Sequence, residues 1–399
     1  MSETTNRIQG IGPREQEVLA WLGQQHEAMV ALLADLVNID SGSYNKAGVD
    51  AVGERFMRFF AEHDIATSVI AGEQRGNLVR AHVDGSDGAN APILLMGHRD
   101  TVFPEGEAER RPFRIENGRA YGPGVADMKA GLVMHAFVLA AYRHVGGAAA
   151  PLVALFTSDE EIGSSFSRKF IEAEASSARF ALNAEPARPS GNVVTGRKGG
   201  VFMRCEVFGK AAHSGSSFAD GASAISELAH KIIALDKLTD LERGITLNVG
   251  LIRGGQSINT SAPYAQGEID LRFLGPKDRD EIMAKVEKIV EASTVKGTRA
   301  TLQIMGEFLP LAPTPASDRL FEQYQGAARD LGLNVQGEFT GACADSGFSA
   351  GVGTPTLCGM GPVGGKVHTA EEFLDVDSLV PRAQLAALTI ARLAGQGER

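Results

Sequence analysis

The chain contains 399 residues, which corresponds to two or three domains at about 150 residues per domain. Apolar residues make up 43% of it and charged residues 22%, a balance typical of a folded globular protein and unlike that of a disordered chain. Asp and Glu total 49 against 39 Lys and Arg, so the formal net charge is −10. This negative charge argues against nucleic acid or an anionic membrane surface as a partner, since both attract positively charged proteins.

The three cysteines, Cys205, Cys343 and Cys358, are an odd number and form no CxxC pair. They indicate neither a disulfide framework nor a zinc ribbon, and we interpret them as small side chains in a reducing compartment. The first residues lack a basic segment followed by an apolar run, and no apolar run approaches the roughly 20 residues of a membrane helix. We expect a cytoplasmic protein that does not enter a membrane.

The first half of the chain alternates between helical periodicity and short apolar runs typical of strands. The predicted elements are helices over 14–38 and 48–63, strands over 67–70, 77–83 and 92–96, a helix over 127–144, a strand over 152–157, a helix over 165–174 and a strand over 180–184. This alternation predicts an α/β domain with a mainly parallel sheet covered on both faces.

The pattern changes near residue 195. The next predicted elements are strands over 201–208, 246–252, 265–273 and 301–304, with helices over 221–235 and 277–292. Their β-α-β-β-α-β order is that of a ferredoxin-like α+β domain. Helix and strand alternate again after residue 310, up to a last helix over 377–394. We therefore predict an α/β domain formed by residues 1–194 and 308–399, which a smaller domain of residues 195–307 interrupts.

Histidine and acidic residues concentrate where predicted strands end or a helix begins. The stretches are 97–101 (GHRDT), 121–129 (YGPGVADMK), 158–163 (SDEEIG) and 183–186 (NAEP), and His368 lies in a later glycine-rich stretch, 364–369 (GGKVHT). Any one of these stretches alone is most often solvated surface. Their coincidence indicates a site, because ligands of open α/β sheets bind at the carboxyl ends of the strands.

Imidazole and carboxylate groups without thiolates suit a zinc-like ion that keeps a position open for catalysis. Two such ions need a bridging carboxylate, further ligands on each ion and one carboxylate left as a base. The candidate ligands are His98, Asp127, Glu161, Glu185 and His368, with one of Glu160 and Glu161 left over. Asp100 lies two residues after His98, where it is placed to accept the other ring N–H.

Taken together, these stretches resemble the signature of the M20 metallopeptidase family, which includes glutamate carboxypeptidases, acetylornithine and succinyl-diaminopimelate deacylases, and aminoacylases. The matching motifs, in chain order, are 97–102 (GHRDTV), 122–129 (GPGVADMK), 159–164 (DEEIGS), 185–186 (EP), 212–215 (AHSG) and 367–369 (VHT). The resemblance implies a catalytic domain with two zinc ions per subunit, for which Co²⁺ can substitute, interrupted by a dimerisation domain.

The resemblance also implies a role for each matching residue. His98 and Glu185 would hold one zinc ion, Glu161 and His368 the other, and Asp127 would bridge the two. Glu160 would be the general base. His213 matches a family histidine that reaches from one subunit of a homodimer into the active site of its partner.

Two further residues resemble the family positions that bind the carboxylate of the substrate. They are Asn259, in the stretch 256–260 (QSINT), and Arg272, in the stretch 270–273 (DLRF). A guanidinium group is well suited to bidentate capture of a carboxylate. Glutamate carboxypeptidases of the family carry a basic stretch just before the final α/β segment, whereas this chain has MGEFL at 305–309. The resemblance therefore leaves the side chains of the substrate open.

The stretch 347–351 (GFSAG) matches the GxSxG nucleophile elbow of α/β-hydrolases. That mechanism needs an acid and then a histidine after Ser349. The one later histidine is His368, and neither Asp nor Glu lies between these two residues. We therefore interpret the stretch as a glycine-rich turn.

The sequence thus predicts a di-zinc hydrolase of carboxypeptidase or dipeptidase type, which cleaves the amide bond of a small N-acyl amino acid or dipeptide-like substrate with a free carboxylate. An N-acyl amino acid deacylase, of the acetylornithine deacetylase or aminoacylase type, is the alternative within the same class. A non-catalytic ligand-binding relative is the alternative from a different class. The retained Glu160 and complete ligand set argue against it, because a relative without catalysis does not need the base.

Overall fold

The computed structural model describes residues 12–86 and 91–394. The chain divides into two compact units. The larger unit comprises Met1–Gly196, Pro313–Phe339 and Phe348–Arg399, and the smaller unit comprises Arg197–Ala312 and Thr340–Gly347. Each unit has its own hydrophobic core.

The smaller unit includes a segment, Thr340–Gly347, that the sequence analysis assigned to the second part of the α/β domain. The backbone N–H of Lys198 donates to the carbonyl of Thr340 at 3.1 Å. The guanidinium of Arg197 donates to the carbonyl of Cys343 at 3.1 Å. These hydrogen bonds join segments more than 140 residues apart, a pairing that hydrophobic periodicity along the chain does not reveal.

The helices of the described residues are α1 (Pro13–Gly23), α2 (His26–Val37), α3 (Lys46–Glu62), α4 (Glu107–Arg110), α5 (Ala130–His144), α6 (Arg168–Ser177), α7 (Ala224–Asp236), α8 (Pro276–Glu291), α9 (Pro315–Asp330), α10 (Ser346–Gly351) and α11 (Leu379–Ala394). The predicted helix over 14–38 is two helices, because the chain leaves helical geometry after Gly23 and starts again at His26. The predicted helix over 165–174 begins later, at Arg168.

The strands of the described residues are β1 (Ala66–Ile70), β2 (Leu78–Val83), β3 (Ile93–His98), β4 (Arg114–Glu116), β5 (Arg119–Tyr121), β6 (Leu152–Thr157), β7 (Phe180–Asn183), β8 (Val193–Arg197), β9 (Gly199–Phe208), β10 (Thr246–Gly254), β11 (Tyr264–Phe273), β12 (Arg299–Phe308), β13 (Gly337–Thr340), β14 (Thr356–Leu357), β15 (Gly364–Gly365) and β16 (Phe373–Asp375). Every strand that the sequence analysis predicts has a counterpart among them.

The main sheet of the larger unit has six strands in the order β1-β2-β6-β3-β7-β14. Strands β6, β3, β7 and β14 run parallel, whereas β1 and β2 pair antiparallel at one edge. Strands β3 and β6 are buried along their whole length, as their continuous apolar sequences predict. Helices α3 and α5 pack against the sheet, and Phe56 and Phe60 of α3 contact Phe156 of β6 with ring centroids 4.9 and 5.9 Å away.

The smaller unit contains one antiparallel sheet in the order β10-β11-β9-β12, together with helices α7 and α8. Its elements follow in the sequence β9-α7-β10-β11-α8-β12, which confirms the predicted ferredoxin-like order. A buried ion pair within α7 includes the lysine that links this helix to the end of α8. Lys231 of α7 lies 2.9 Å from Glu227 and also donates to the carbonyls of Ile289, Val290 and Ala292 at the end of α8.

The segment Val125–His144 is long and apolar enough to cross a membrane by length and composition, but its apolar stretch is fully buried within the protein. It is the central helix of the larger unit, α5, together with the irregular turn that precedes it. His135 lies on α5 with both ring nitrogens buried, and neither has a hydrogen-bond partner. Burial lowers the pKa of His135 from 6.5 to about 3.

Acidification should destabilise the protein through His135. The imidazole of His135 binds a proton below about pH 6.5 in the unfolded chain, but only below about pH 3 in the folded protein. The free energy of unfolding is therefore unaffected by this histidine above about pH 6.5 and falls as the pH drops from 6.5 to 3. Between pH 7 and pH 5, the His135→Leu variant should lose about 2 kcal/mol less unfolding free energy than the unmutated protein. The measurement is urea denaturation of metal-free protein. The exposed His230→Leu is the matched control, and an unchanged pH dependence in His135→Leu would contradict the assignment.

Candidate metal centre

Three neighbouring parallel strands of the main sheet end at the same edge. Strand β3 lies between β6 and β7 and runs parallel to both. His98 is the last residue of β3, Glu160 and Glu161 begin the short turn after β6, and Glu185 follows β7 by two residues. Because the carboxyl ends of parallel strands open onto one crevice, these side chains converge as the sequence analysis predicts.

Asp127 reaches the same edge from the turn Val125–Lys129, which precedes α5. The predicted helix over 127–144 therefore begins later than expected, because Asp127 has φ −110° and ψ 92°, outside the helical region. The backbone N–H groups of Gly124, Ala126 and Asp127 donate to the buried carboxylate of Glu372 at 2.8–3.1 Å. Glu372 thus holds the turn from which the Asp127 side chain extends.

Asp127 presents one carboxylate oxygen to each of two imidazoles. Its Oδ1 atom lies 3.2 Å from His98 Nε2, and its Oδ2 atom lies 3.2 Å from His368 Nε2. Asp127 and His98 are buried, whereas the side chain of His368 is 51% exposed. This is the arrangement that a carboxylate bridging two metal ions requires, with one histidine on each side.

The glutamates divide between the two histidines. Glu185 Oε1 lies 3.7 Å from His98 Nε2, and Glu161 Oε2 lies 3.2 Å from His368 Nε2. Glu160, the neighbour of Glu161, faces the His98 side with its Oε2 atom 4.0 Å from His98 Nε2. The two adjacent glutamates therefore approach different histidines. This separation is compatible with different roles for them.

Burial and mutual attraction together shift the acidity of these groups. Burial raises the pKa of Asp127, but hydrogen bonds to His368 and His98 outweigh it and lower that pKa well below its usual range. Hydrogen bonds to Asp127 and Glu161 raise the pKa of His368 to about 10. Burial raises the pKa of Glu161. The two imidazoles thus stabilise the ionised form of Asp127, whereas burial disfavours the ionised form of Glu161.

The residues fit a divalent metal ion. His98, Asp127 and Glu161 each offer a ligand atom, and the three atoms lie within 4.8 Å of one another. The Oε1 atom of Glu161 is buried without a hydrogen-bond partner, which is costly for a carboxylate unless a cation satisfies it. Oxygen and imidazole nitrogen donors are those that zinc accepts at catalytic sites.

Asp100 accepts the other ring N–H of His98, as the sequence analysis expects, but mainly through its backbone carbonyl. The ring Nδ1 of His98 donates to the backbone carbonyl of Asp100 at 2.9 Å, while the carboxylate lies farther away, at 3.5 Å. That carboxylate accepts hydrogen bonds from Ser43 Oγ at 2.6 Å and from the backbone N–H groups of Glu160 and Glu161 at 3.1 and 3.2 Å. Asp100 therefore orients His98 through its main chain and holds the two glutamates through its side chain.

The sequence analysis did not identify Glu372 and Ser43. Both hold residues of the site in place by hydrogen bonds, but neither is a candidate metal ligand. Glu372 lies four residues after His368, in the acidic pair 371–372, and Ser43 lies in a polar loop before α3. Both interact with residues far away along the chain: Glu372 with the turn of Asp127, and Ser43 with Asp100. An acidic pair and a loop serine are common in sequences, so neither gave a distinguishing signal.

Within the smaller unit, His213 and Asn259 lie on adjoining loops. The backbone of His213 pairs with Thr260, and the backbone N–H of Ser214 donates to the carbonyl of Asn259 at 2.9 Å. The N–H groups of Gly215 and Ser216 donate to His213 Nδ1 at 3.1 and 3.2 Å, so the ring proton belongs on Nε2. Both His213 and Asn259 are exposed.

Arg272, the other predicted substrate residue, lies at the opposite end of β11 from the Asn259 loop. Its Nε atom donates to Asp270 at 2.7 Å, and its Nη1 atom donates to the thiol sulfur of Cys343 at 2.6 Å. The structure therefore brings His213 and Asn259 together but does not bring Arg272 beside them.

Ser349 of the GxSxG stretch lies in helix α10 (Ser346–Gly351). The prediction of a glycine-rich turn is therefore wrong. Ser349 is fully buried and accepts a hydrogen bond from Thr356 at 2.9 Å. A nucleophile elbow exposes its serine at a sharp strand-to-helix turn. Ser349 therefore does not occupy the position of a hydrolase nucleophile.

Comparison with known proteins gives a consistent family assignment. The model of peptidase family M20/M25/M40 matches residues 94–392 of the chain. Carboxypeptidase G2 from Pseudomonas sp. (strain RS-16) is 28% identical over 389 residues, which cover 92% of this chain and 90% of that protein. Acetylornithine deacetylase from Myxococcus xanthus is 33% identical over 285 residues, which cover 66% of this chain and 71% of that protein.

The fold is also shared with solved structures. An M20 family metallo-carboxypeptidase from Sulfolobus solfataricus superposes with a TM-score of 0.75 and 17% sequence identity, over 91% of this chain and 98% of that one. At such low identity the likeness concerns the fold.

Glu372 should control metal affinity although it is not a ligand. Glu372→Gln replaces a carboxylate that accepts three backbone hydrogen bonds by an amide with one acceptor oxygen, so the Asp127 turn should loosen. We expect Zn²⁺ affinity to fall by about 10–100-fold, measured by competition with a chromophoric chelator. The neighbouring Glu371→Gln, at an exposed residue paired with Lys366, is the matched control. Equal affinities for the two variants would contradict this role.

Proposed function

The chain belongs to peptidase family M20/M25/M40, and from this premise we propose that it is a di-zinc amidohydrolase. The substrate is a small N-acyl amino acid or dipeptide-like molecule with a free carboxylate, and cleavage is of the carboxypeptidase or dipeptidase type. Similarity to carboxypeptidase G2, over 92% of this chain and 90% of that protein, supports this proposal. Family membership itself makes the protein a metallopeptidase-type hydrolase that uses a divalent metal ion.

The observation that carries the proposal is the position of Asp127 between two histidines, each 3.2 Å from a different carboxylate oxygen. His98 and Glu185 would hold one zinc ion, and His368 and Glu161 the other. When bound, the ions would polarise the scissile carbonyl and lower the pKa of water in the cleft. Asp127 would fix the distance between the two metal positions, because its carboxylate would be a ligand at both of them.

Glu160 is the carboxylate left to act as a base. Asp100 anchors its backbone N–H, and its side chain lies beside the His98 side of the cleft. From there Glu160 would take the proton of the attacking water and pass it to the leaving nitrogen. Asp100 has a positioning role, since its carboxylate is occupied by Ser43 and two backbone N–H groups.

His213, with its proton on Nε2, is able to donate a hydrogen bond to the oxyanion that forms on the carbonyl. Asn259 lies on the adjoining loop and would bind the substrate from the same subunit as His213. Arg272 would bind the substrate carboxylate, for which it would have to exchange its present contact with Asp270.

A homodimer through the smaller unit is part of the proposal. Strand β10 lies at one edge of the sheet, and its residues Leu251 and Ile252 are 54% and 65% exposed. An open strand edge with exposed apolar side chains is suited to pairing with a second copy. In such a dimer, His213 would act in the active site of the partner.

A second candidate is N-acyl amino acid deacylation of the acetylornithine deacetylase or aminoacylase type. Acetylornithine deacetylase from Myxococcus xanthus is 33% identical to the chain over 285 residues, which supports this alternative. Both candidates use the same metal centre and differ in the group attached to the nitrogen. Screening the zinc-loaded protein against dipeptides and N-acyl amino acids distinguishes them.

The metal centre is tested by removing the metal and by changing the two adjacent glutamates separately. Dialysis against a strong chelator should abolish amide hydrolysis, and Zn²⁺ or Co²⁺ should restore it. Glu160→Gln should lower kcat by a factor of at least about 100 while both metal ions stay bound, because only the base is lost. Glu161→Gln should instead weaken one ion, since a neutral amide is a poorer ligand than a carboxylate.

Activity and metal content by elemental analysis are measured on the same samples, so each glutamate variant is the control for the other. Full activity in verified metal-free protein would overturn the proposed function. Metal loss in Glu160→Gln, with two ions retained in Glu161→Gln, would reverse the two roles.

Subunit mixing tests the role of His213. Glu160→Ala and His213→Ala proteins should each be inactive alone. If His213 acts in trans, a heterodimer has one active site that contains both intact residues, and activity should return to as much as a quarter of the unmutated level. Labelled subunits monitored by native mass spectrometry would establish exchange. Exchange without recovery would show that His213 does not act in the partner's site.

A further inference from the structure

The guanidinium of Arg272 has three different neighbours within the smaller unit. Its Nε atom donates to the carboxylate of Asp270 at 2.7 Å, and its Nη1 atom donates to the thiol sulfur of Cys343 at 2.6 Å. The guanidinium also lies over the ring of Phe202, with its Cζ atom 5.1 Å from the ring centroid. The side chain of Arg272 is 23% exposed, so these neighbours hold it while part of it stays open to solvent.

Cys343 reaches this position from a remote part of the chain. It lies in Thr340–Gly347, the segment that belongs to the smaller unit, 71 residues after Arg272. The guanidinium of Arg197 donates to the backbone carbonyl of Cys343 at 3.1 Å and to that of Ala342 at 3.4 Å. The thiol itself is half-buried. Hydrogen bonds of the main chain therefore fix the place of this thiol beside Arg272.

The adjoining strand leaves room for the contact between the thiol and the guanidinium. Gly200 of β9 pairs with Arg272 of β11. A Cβ atom on Gly200 would lie 2.8 Å from the sulfur of Cys343 and 3.4 Å from the Cδ and Nη1 atoms of Arg272. The first of these distances is too short for a carbon and a sulfur atom, so a side chain at this position would displace the thiol. Glycine thus permits the close approach of Cys343 to Arg272.

The two hydrogen-bond partners of Arg272 differ in charge. Asp270 carries a carboxylate, which competes with a substrate carboxylate for the guanidinium. Burial raises the pKa of the Cys343 thiol, although the nearby Arg272 counteracts part of this effect, so the thiol is neutral at neutral pH. A thiol sulfur accepts a hydrogen bond without neutralising the cation. Cys343 therefore supports the guanidinium and leaves its positive charge available.

We propose that Cys343 is a positioning residue for recognition of the substrate carboxylate, because its thiol keeps Arg272 oriented when the substrate displaces Asp270. The inference rests on the proposed function, in which Arg272 binds that carboxylate. Substrate binding would exchange one carboxylate for another, while the contacts of the guanidinium with Cys343 and Phe202 would remain. An arginine that is held in place beforehand loses less rotamer freedom on binding, and this increases affinity.

The first test changes the thiol and measures KM and kcat separately, on substrates that the zinc-loaded enzyme hydrolyses. Cys343→Ala removes the acceptor and should raise KM about tenfold while kcat changes less than about threefold, because the lost contact serves binding alone. Cys343→Ser retains an acceptor and should restore KM to within about threefold of the unmutated value. Cys205→Ala, which removes a thiol from the core of the same unit, is the matched control and should leave KM unchanged.

Replacing the charged partner should have the opposite effect. Asp270→Asn removes the carboxylate that competes with the substrate, so KM should fall or stay unchanged, whereas loss of the acceptor at Cys343 raises it. A purely structural role for both contacts predicts that KM rises by a similar factor in both variants. Such equal rises would overturn the inference, and so would a Cys343→Ala variant whose KM equals that of the Cys205→Ala control.

Binding is measured separately from turnover by calorimetry with zinc-loaded Glu160→Gln protein. The ligands are N-acetyl-L-alanine and L-alanyl-L-alanine, each as the free acid and as the C-terminal amide. We expect the acids to bind more tightly than the amides, and the addition of Cys343→Ala to reduce this preference about tenfold through weaker binding of the acids.

This reduction supports the inference even if the active enzyme hydrolyses neither acid, and in that case the proposed function alone fails. Equal binding of acids and amides by the Glu160→Gln protein, or an acid preference that Cys343→Ala leaves unchanged, overturns the inference. Hydrolysis of the acids together with an unchanged preference overturns the role of Cys343 and leaves the proposed function in place.

Discussion

The larger unit is organised around one buried carboxylate that is shared by two imidazoles. Asp127 has an oxygen 3.2 Å from His98 on one side and another 3.2 Å from His368 on the other. A buried carboxylate is costly unless charges of opposite sign surround it. Two histidines with further carboxylates beside them create a cleft of crowded acidic and imidazole groups, which a pair of divalent cations would neutralise. The purpose of the surrounding structure is to keep these groups together.

Carboxylates outside the metal-ligand set supply much of that support. Glu372 accepts three backbone N–H groups from the turn of Asp127, and Asp100 accepts the N–H groups of Glu160 and Glu161. Each carboxylate thereby fixes a segment of main chain whose side chain points to the cleft. Asp100 also joins the site to the loop that precedes α3, because Ser43 donates to it from that loop.

The sequence alone determined the elements and the residue types of the site. Continuous apolar runs predict β3 and β6, and His98, Glu160 and Glu161 follow directly at their ends. Parallel strands must end at a common edge, so proximity of these residues could be derived from pattern and topology. The β-α-β-β-α-β order of the smaller unit could be read in the same way, because its periodicities are local.

Only the tertiary structure decided how the site is held. Glu372 lies 245 residues from Asp127 along the chain, and Ser43 lies 57 residues from Asp100. The attachment of Thr340–Gly347 to the smaller unit, the role of the Asp100 carbonyl and the burial of Ser349 likewise depend on contacts between distant segments. Local periodicity reports which face of an element is buried, but a hydrogen bond between a loop and a remote turn leaves no periodic trace. The sequence therefore determined which groups could perform the chemistry, and the fold decided which of them meet, since proximity is a property of the packed chain.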